Sequence, residues 1–265
     1  MFPDLVSIGF LHLKTYGACM AVGFLLSWML VERLSGRKDI SNLLMYLMIG
    51  GVIGSRAAYV IEHWRSEFAA APQSIIRIDQ GGLMFYGGFI LCLIIFFAWC
   101  LKKKDHPLAL ADVLCAALPL GHACGRIGCF FYGCCYGRVS DSPLAVTFPS
   151  HSPAWFEQVR HGLISETAAR SLAVLPTQLF EAAALLALFA VLLKAFPRFK
   201  HRRGTVAGIY MIGYGIIRFA MECLRGDPRA SVAALSIGQT ISLGVVALGI
   251  VFLACGRRTR PQEAA

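Results

Sequence analysis

Charge is scarce in this sequence: Asp, Glu, Lys and Arg make up 15% of 265 residues, and only 15 residues are acidic. Soluble domains carry about 25% charged residues, so an ordinary water-facing enzyme is excluded. Repeats of fixed period and low-complexity tracts are also missing, which excludes solenoids and tails. No linker to a second soluble domain is visible, so residues 1–265 read as a single integral membrane domain. The first apolar run lacks a preceding basic cluster, having Asp4 instead, and no A-x-A site follows it. A cleaved secretory signal is therefore not expected, and this run reads as a retained helix.

What is present is apolar. Hydrophobic residues reach 57% and the mean hydropathy is +0.64. Runs long enough for the roughly 20 residues that cross a bilayer lie near 15–34, 42–62, 83–101, 108–124, 177–196, 205–223 and 235–255. An all-α polytopic membrane protein of about seven spans follows, with the N-terminus outside and the C-terminus cytoplasmic. In that orientation the inner loops hold Arg33, Arg37, Lys38, Lys102, Lys103, Lys104, Lys194, Arg198, Lys200, Arg202, Arg203, Arg257, Arg258 and Arg260. These are fourteen of the 25 basic residues, opposed there only by Glu32, Asp39, Asp105 and Glu263, so the whole net charge of +10 sits on one face. Short basic loops flanking spans are the positive-inside pattern. They point to anionic lipid rather than to nucleic acid.

Between the fourth and fifth spans lies a longer polar segment, 125–175, with Pro143, Pro149 and Pro153 inside it and Pro176 just beyond. It reads as a small external head of turns, short strands and one helix near 154–170. Small-residue spacings at Gly50/Gly54, Gly121/Gly125 and Gly204/Gly208 suit close helix contacts.

Of the 10 cysteines, six (Cys19, Cys92, Cys100, Cys115, Cys223, Cys255) fall in or near apolar spans and read as small hydrophobes. Cys124, Cys129, Cys134 and Cys135 crowd into twelve residues at the outer end of the fourth span. Disulfides, plain packing, a reactive thiol and a metal site all remain open. Metal is the weaker reading, even with His122 nearby, because paired C-x2-C spacing is missing. No metal or cofactor is expected.

Charged residues inside spans are expensive and mark function by default. Tyr214, Arg218, Glu222 and Arg225 recur at helical spacing along one face of the sixth span. A structural Arg218–Glu222 brace would account for part of this stripe; a second arginine would give it chemistry. HACGRIGCFFYGCCYGR supplies Arg126 and Arg138, and guanidinium suits bidentate contact with phosphate. Arg126 with Arg218 can thus clamp a phospholipid headgroup. Arg56, Tyr59, Gln178, Glu181 and Gln239 are further polar positions in spans, and GGLMFYGG sets Tyr86 between glycine pairs.

Taken in order, these motifs resemble the prolipoprotein diacylglyceryl transferase family. Tyr16-Gly17 matches its tyrosine-glycine pair, and Gly54-Ser55-Arg56 to Tyr59-Val60 its glycine-alanine-arginine stretch. Gly125-Arg126-Ile127-Gly128-Cys129-Phe130, Tyr132-Gly133-Cys134 and Gly137-Arg138 follow the family signature, with cysteine or tyrosine at two asparagines and a glutamate. Pro176-Thr177-Gln178-Leu179-Phe180-Glu181, then Tyr214 to Arg225, then Gly238-Gln239 complete the series. Tyr86 stands where the family carries a histidine thought to help activate the acceptor thiol.

The resemblance implies transfer of diacylglycerol from phosphatidylglycerol to the lipobox cysteine of a prolipoprotein, in the bacterial inner membrane, at a site open to the outer leaflet side. It implies Tyr16, Tyr86, Arg126 and Arg218 as catalytic residues, and Arg56, Arg138, Gln178, Glu181, Tyr214, Glu222 and Arg225 as substrate-binding ones. Partners would be phosphatidylglycerol, other membrane lipid and the prolipoprotein signal peptide. A member acting on another lipid or acceptor, or a non-catalytic phospholipid binder, is the alternative.

Overall fold

The computed structural model describes residues 4–8, 11–77, 81–225, 231–232 and 235–255. A hairpin of β1 (Asp4–Ile8) and β2 (Leu11–Lys14) leads into α1 (Thr15–Ser35) and α2 (Ile40–Glu62). Then come α3 (Phe85–Lys103), α4 (Pro107–Tyr132), the short α5 (Pro153–Arg160), α6 (Thr177–Phe199) and α7 (Thr205–Leu224). A two-residue pair, β3 (Ser231–Val232) and β4 (Leu235–Ser236), precedes α8 (Ile237–Cys255). Among the described residues seven helices are long and apolar enough to cross a membrane. All seven expected spans are present, so the chain is a multi-pass membrane protein.

The packing falls into two units, Glu32–Leu110 and the remainder. In the first, α2 and α3 touch backbone to backbone: a Cβ added at Gly54 would lie 2.5 Å from the Gly87 carbonyl oxygen. That approach gives dispersion contact where hydrocarbon offers no hydrophobic drive. The segment between the two helices is organised by Arg56. Its five N–H donors all meet backbone carbonyls, those of Ser74, Ile75, Arg77, Gly81 and Gly82, at 2.7–3.1 Å. Its guanidinium also lies 5.3 Å from the Phe68 ring centroid and 5.6 Å from that of Tyr59. The resemblance implies substrate binding for Arg56; its donors are instead committed to the loop that leads to Tyr86.

In the second unit, α1 packs on α4, where Gly23 abuts Cys124 and Ser27 Oγ donates to the Ala117 carbonyl at 3.3 Å. α7 contacts α8 at Gly208, whose added Cβ would lie 2.9 Å from the Gly249 carbonyl oxygen. Gly204 differs from the expected contact role: with φ +86° it is the left-handed residue that opens α7. The N–H groups of Gly204 and Ala207 donate to the buried Asp112 carboxylate of α4 at 2.7 and 2.8 Å. A side chain from another helix thus satisfies N–H groups that α7 leaves without intrahelical partners.

The fourth helix runs to Tyr132, eight residues beyond the expected end near 124. Gly125, Ile127 and Phe131 continue its apolar character, and Gly133 at φ +82° stops it. Arg126 and Cys129 therefore ride on the helix rather than in a loop. The head holds one short helix, α5, whose start is capped by Ser152 Oγ accepting the Trp155 N–H at 3.3 Å. Phe148, Ala154 and Val174 form its small core, and isolated bridges join Val139 and Val146 to Val174.

Candidate active site

Two ion pairs lie in the second unit, one joining α4 to α6 and one within α7. Arg126 Nη2 of α4 lies 3.0 Å from Glu181 Oε1 of α6, and Arg218 Nη2 lies 2.9 Å from Glu222 Oε2 one turn along α7. Both carboxylates are buried, at 4% and 3% side-chain exposure, whereas the arginines keep 22% and 17%. Each arginine side chain thus keeps some exposure while its carboxylate partner is buried. Arg218 Nη1 is buried and has no hydrogen-bond partner among the described residues. At 3.0 Å the Arg126–Glu181 pair meets charge to charge, but Glu181 Oε1 receives no aligned hydrogen bond. The contact is ionic rather than a tight bidentate fork.

Tyr214 of α7 is within electrostatic range of Arg126, Glu181 and Arg218. Its ring packs against the buried cluster of Ala123, Ala182 and Leu185 and lies 5.5 Å from the His122 ring. Tyr16 of α1, 39% exposed, is within electrostatic range of Arg126 and of Cys129, Cys134 and Cys135, and its ring is 6.4 Å from that of Tyr132. Glu222 is fixed further by Ser236, whose Oγ donates to Oε1 at 3.0 Å, and by Gly238, where any Cβ would strike the carboxylate.

The cysteine cluster joins the same unit. The Sγ atoms of Cys129, Cys134 and Cys135 all lie within 4.8 Å of one another, and no disulfide links them. Cys124 does not join this group; it faces Gly23 of α1. Hydrogen bonds from Cys129 and Cys134 hold the Cys135 thiol below the usual thiol range, with burial opposing and Arg225 and Arg126 assisting. The Cys134 thiol is pushed up by those same contacts.

Gln178 and Thr177, fully buried at the start of α6, grip this turn: Gln178 Nε2 donates to the Cys134 carbonyl at 2.7 Å and Thr177 Oγ1 to the Cys135 carbonyl at 2.9 Å. The Arg138 main chain pairs with Leu224 and Leu175 while its side chain is exposed. Arg225 is partly buried, within electrostatic range of Cys135. Tyr86 lies in the first unit, at 56% exposure, in the first turn of α3. Thr177 and Ser236 were not singled out from sequence. Both stand at helix starts beside polar site residues, and that position is the signal that would have found them.

Paired arginines and carboxylates are held among the helices of a multi-pass membrane protein. A family model described as prolipoprotein diacylglyceryl transferase matches residues 3–255. The chain is 32% identical over 276 residues to the phosphatidylglycerol–prolipoprotein diacylglyceryl transferase of Pseudoalteromonas translucida, covering 99% of this chain and 96% of that one. It is 31% identical over 273 residues to the protein of that name in Solidesulfovibrio magneticus, with 99% and 96% covered, and 32% identical over 293 residues to that of Burkholderia ambifaria, with 99% and 97% covered. The chain belongs to the prolipoprotein diacylglyceryl transferase family, and is a multi-pass protein of the bacterial inner membrane.

Proposed function

We propose that this chain moves the diacylglyceryl group of phosphatidylglycerol to the lipobox cysteine thiol of a prolipoprotein. The observation that carries this is the presence of two arginines, each held by a buried carboxylate and both within electrostatic range of Tyr214, with the buried Arg218 Nη1 lacking a hydrogen-bond partner among the described residues. A phosphodiester oxygen would satisfy that donor. Charge builds on the phosphate as the glyceryl C–O bond breaks, and guanidinium groups in a low-dielectric site stabilise it most at that moment.

In this reading the acceptor thiol gives up its proton to water, its sulfur forms an S–C bond to the glyceryl carbon, the C–O bond to phosphate breaks, and glycerol phosphate departs with the bonding electrons. Glu181 and Glu222 act as positioning residues: each orients its guanidinium and offsets its charge. Gln178 holds the Cys134 carbonyl through its Nε2 and has Oε1 left over, buried and unbonded among the described residues. The concentration of basic residues in the loops taken as inner supports a site that opens toward the outer leaflet.

The test is transfer by the purified chain in phosphatidylglycerol vesicles, read as mass added to a lipobox peptide and as glycerol phosphate released. Arg126→Ala and Arg218→Ala should each lower the rate by about 10²–10³-fold, the loss typical for one oxyanion-stabilising donor. Full activity in both variants would sink the headgroup clamp.

A further inference from the structure

We propose that Cys129, Cys134 and Cys135 bind a zinc ion through three thiolates, leaving the fourth position for the acceptor thiol. The metal site stands on geometry alone; the role given to the acceptor rests on the transferase reading above. Spacing does not reveal this site, because C-x4-C-C lacks the paired pattern of common zinc motifs. The fold supplies what the spacing omits. Helix α4 presents Cys129 in its last turn, Gly133 at φ +82° reverses the chain, and Cys135 at φ +60° turns its side chain back. The Cys134 N–H bonds the Cys129 carbonyl at 3.2 Å, closing the loop.

A non-glycine residue at positive φ is held against a steric penalty of about 1–2 kcal/mol. Here the Gln178 and Thr177 bonds to the two flanking carbonyls hold it. The three sulfurs, within 4.8 Å of one another, need little adjustment. Zinc–sulfur bonds of about 2.3 Å in tetrahedral geometry put ligand sulfurs about 3.8 Å apart. Among the described residues no fourth histidine, cysteine or carboxylate joins the group. Three protein ligands with one open position is the arrangement of zinc sites that act on substrates, whereas structural sites are closed with four. Arg126 and Arg225, within electrostatic range of Cys135, offset the net negative charge of a zinc tris-thiolate.

The open position addresses a gap in the chemistry. Tyr86 replaces the histidine expected to activate the acceptor, yet a thiol reacts as thiolate. A thiol that coordinates zinc is deprotonated outright. The acceptor cysteine would bind zinc, release its proton to solvent, and attack the glyceryl carbon while glycerol phosphate leaves from beside Arg126. Zinc keeps its oxidation state throughout.

The experiment uses the full chain in detergent, stripped with chelator and kept reduced, with cobalt(II) as the optical probe. One cobalt per chain should bind with a thiolate-to-metal charge-transfer band that equimolar zinc removes. Cys129→Ser, Cys134→Ser and Cys135→Ser should each weaken binding at least about tenfold, while Cys223→Ser, outside the cluster, leaves it intact. Melting temperatures of the variants guard against misfolding. Absence of the band, or its persistence in all three serine variants, overturns the site, as does a chain that stays disulfide-bonded and metal-free under mild reduction. Transfer at the full rate by the stripped chain overturns the acceptor role and leaves the transferase reading standing. Zinc bound by the three thiols without any transfer keeps the site and sinks the transferase reading.

Discussion

At the scale of single residues, the site is made of groups that cannot stand alone. Glu181 at 4% side-chain exposure and Glu222 at 3% are charges removed from water, tolerable because each faces a guanidinium. Removing one partner of a buried pair costs about 3–5 kcal/mol, since the other is stranded. Glu181→Ala should therefore lower the unfolding midpoint of the detergent-solubilised protein sharply. The double variant Arg126→Met with Glu181→Leu should recover most of that loss while remaining inactive, and thermal unfolding beside the transfer assay separates the two effects. If the double variant is as unstable as the single one, the pair is not what strains the site. These residues were legible in sequence because charge inside an apolar run is conspicuous. The convergence of three thiols was not, because it depends on backbone angles at Gly133 and Cys135 that no spacing rule encodes. Nor was the commitment of Arg56, whose partners are carbonyls and leave no side-chain pattern.

At the scale of elements, hydrophobic runs located all seven spans, while their ends were set by local contacts that hydropathy does not see. Asp112 is the clearest case, since a carboxylate in α4 opens α7 by accepting two of its first N–H groups. Asp112→Ala should cost about 1–2 kcal/mol, the upper range for loss of an N-terminal cap, read as a lower melting temperature with faster proteolysis after Arg202 or Arg203. Unchanged stability would mean that Gly204 alone is enough to start the helix. A second link lies at the ends of the spans of the first unit. Arg37 contacts Asp39 at 2.9 Å and Asp105 at 2.7 Å, and Lys103 stands 3.5 Å from Asp39. The hydrogen bond from Arg37 holds the Asp39 carboxyl below its usual range, and Arg37 is raised and stays charged throughout. A depressed carboxyl stabilises the fold above its unfolded value of about 3.9 and loses that contribution as pH falls through the folded value. Melting temperature should thus decline below about pH 4, and Asp39→Asn should remove part of the slope. Because the pair is exposed, the effect belongs to the 0.2–1 kcal/mol class.

At the scale of the whole chain, the balance of charge carries its own prediction. Fourteen basic residues in the loops taken as inner leave the remaining positive and negative charges equal, so in that orientation the net +10 would belong to one face. Basic loops within about 15–20 residues of span ends resist translocation, and with an odd number of spans the two termini must lie on opposite sides. In that orientation the head between α4 and α6 and the turn bearing Cys134 and Cys135 would share the outer side with the start of α1, the side from which the proposed acceptor and lipid would come. A fluorescent protein fused after α8 should therefore fold and shine in the cytoplasm, and alkaline phosphatase at the same point should stay inactive. Phosphatase inserted at the exposed Gly162 turn of the head should be active. The opposite pattern would place the cysteine turn and the head on the cytoplasmic side, away from exported acceptors, and would count against the proposed acceptor as well as the orientation. Replacing Lys102, Lys103 and Lys104 with glutamine removes three of the fourteen charges. If charge bias sets the orientation, that change should produce a minor population with the reporters exchanged, and none if helix packing sets it instead.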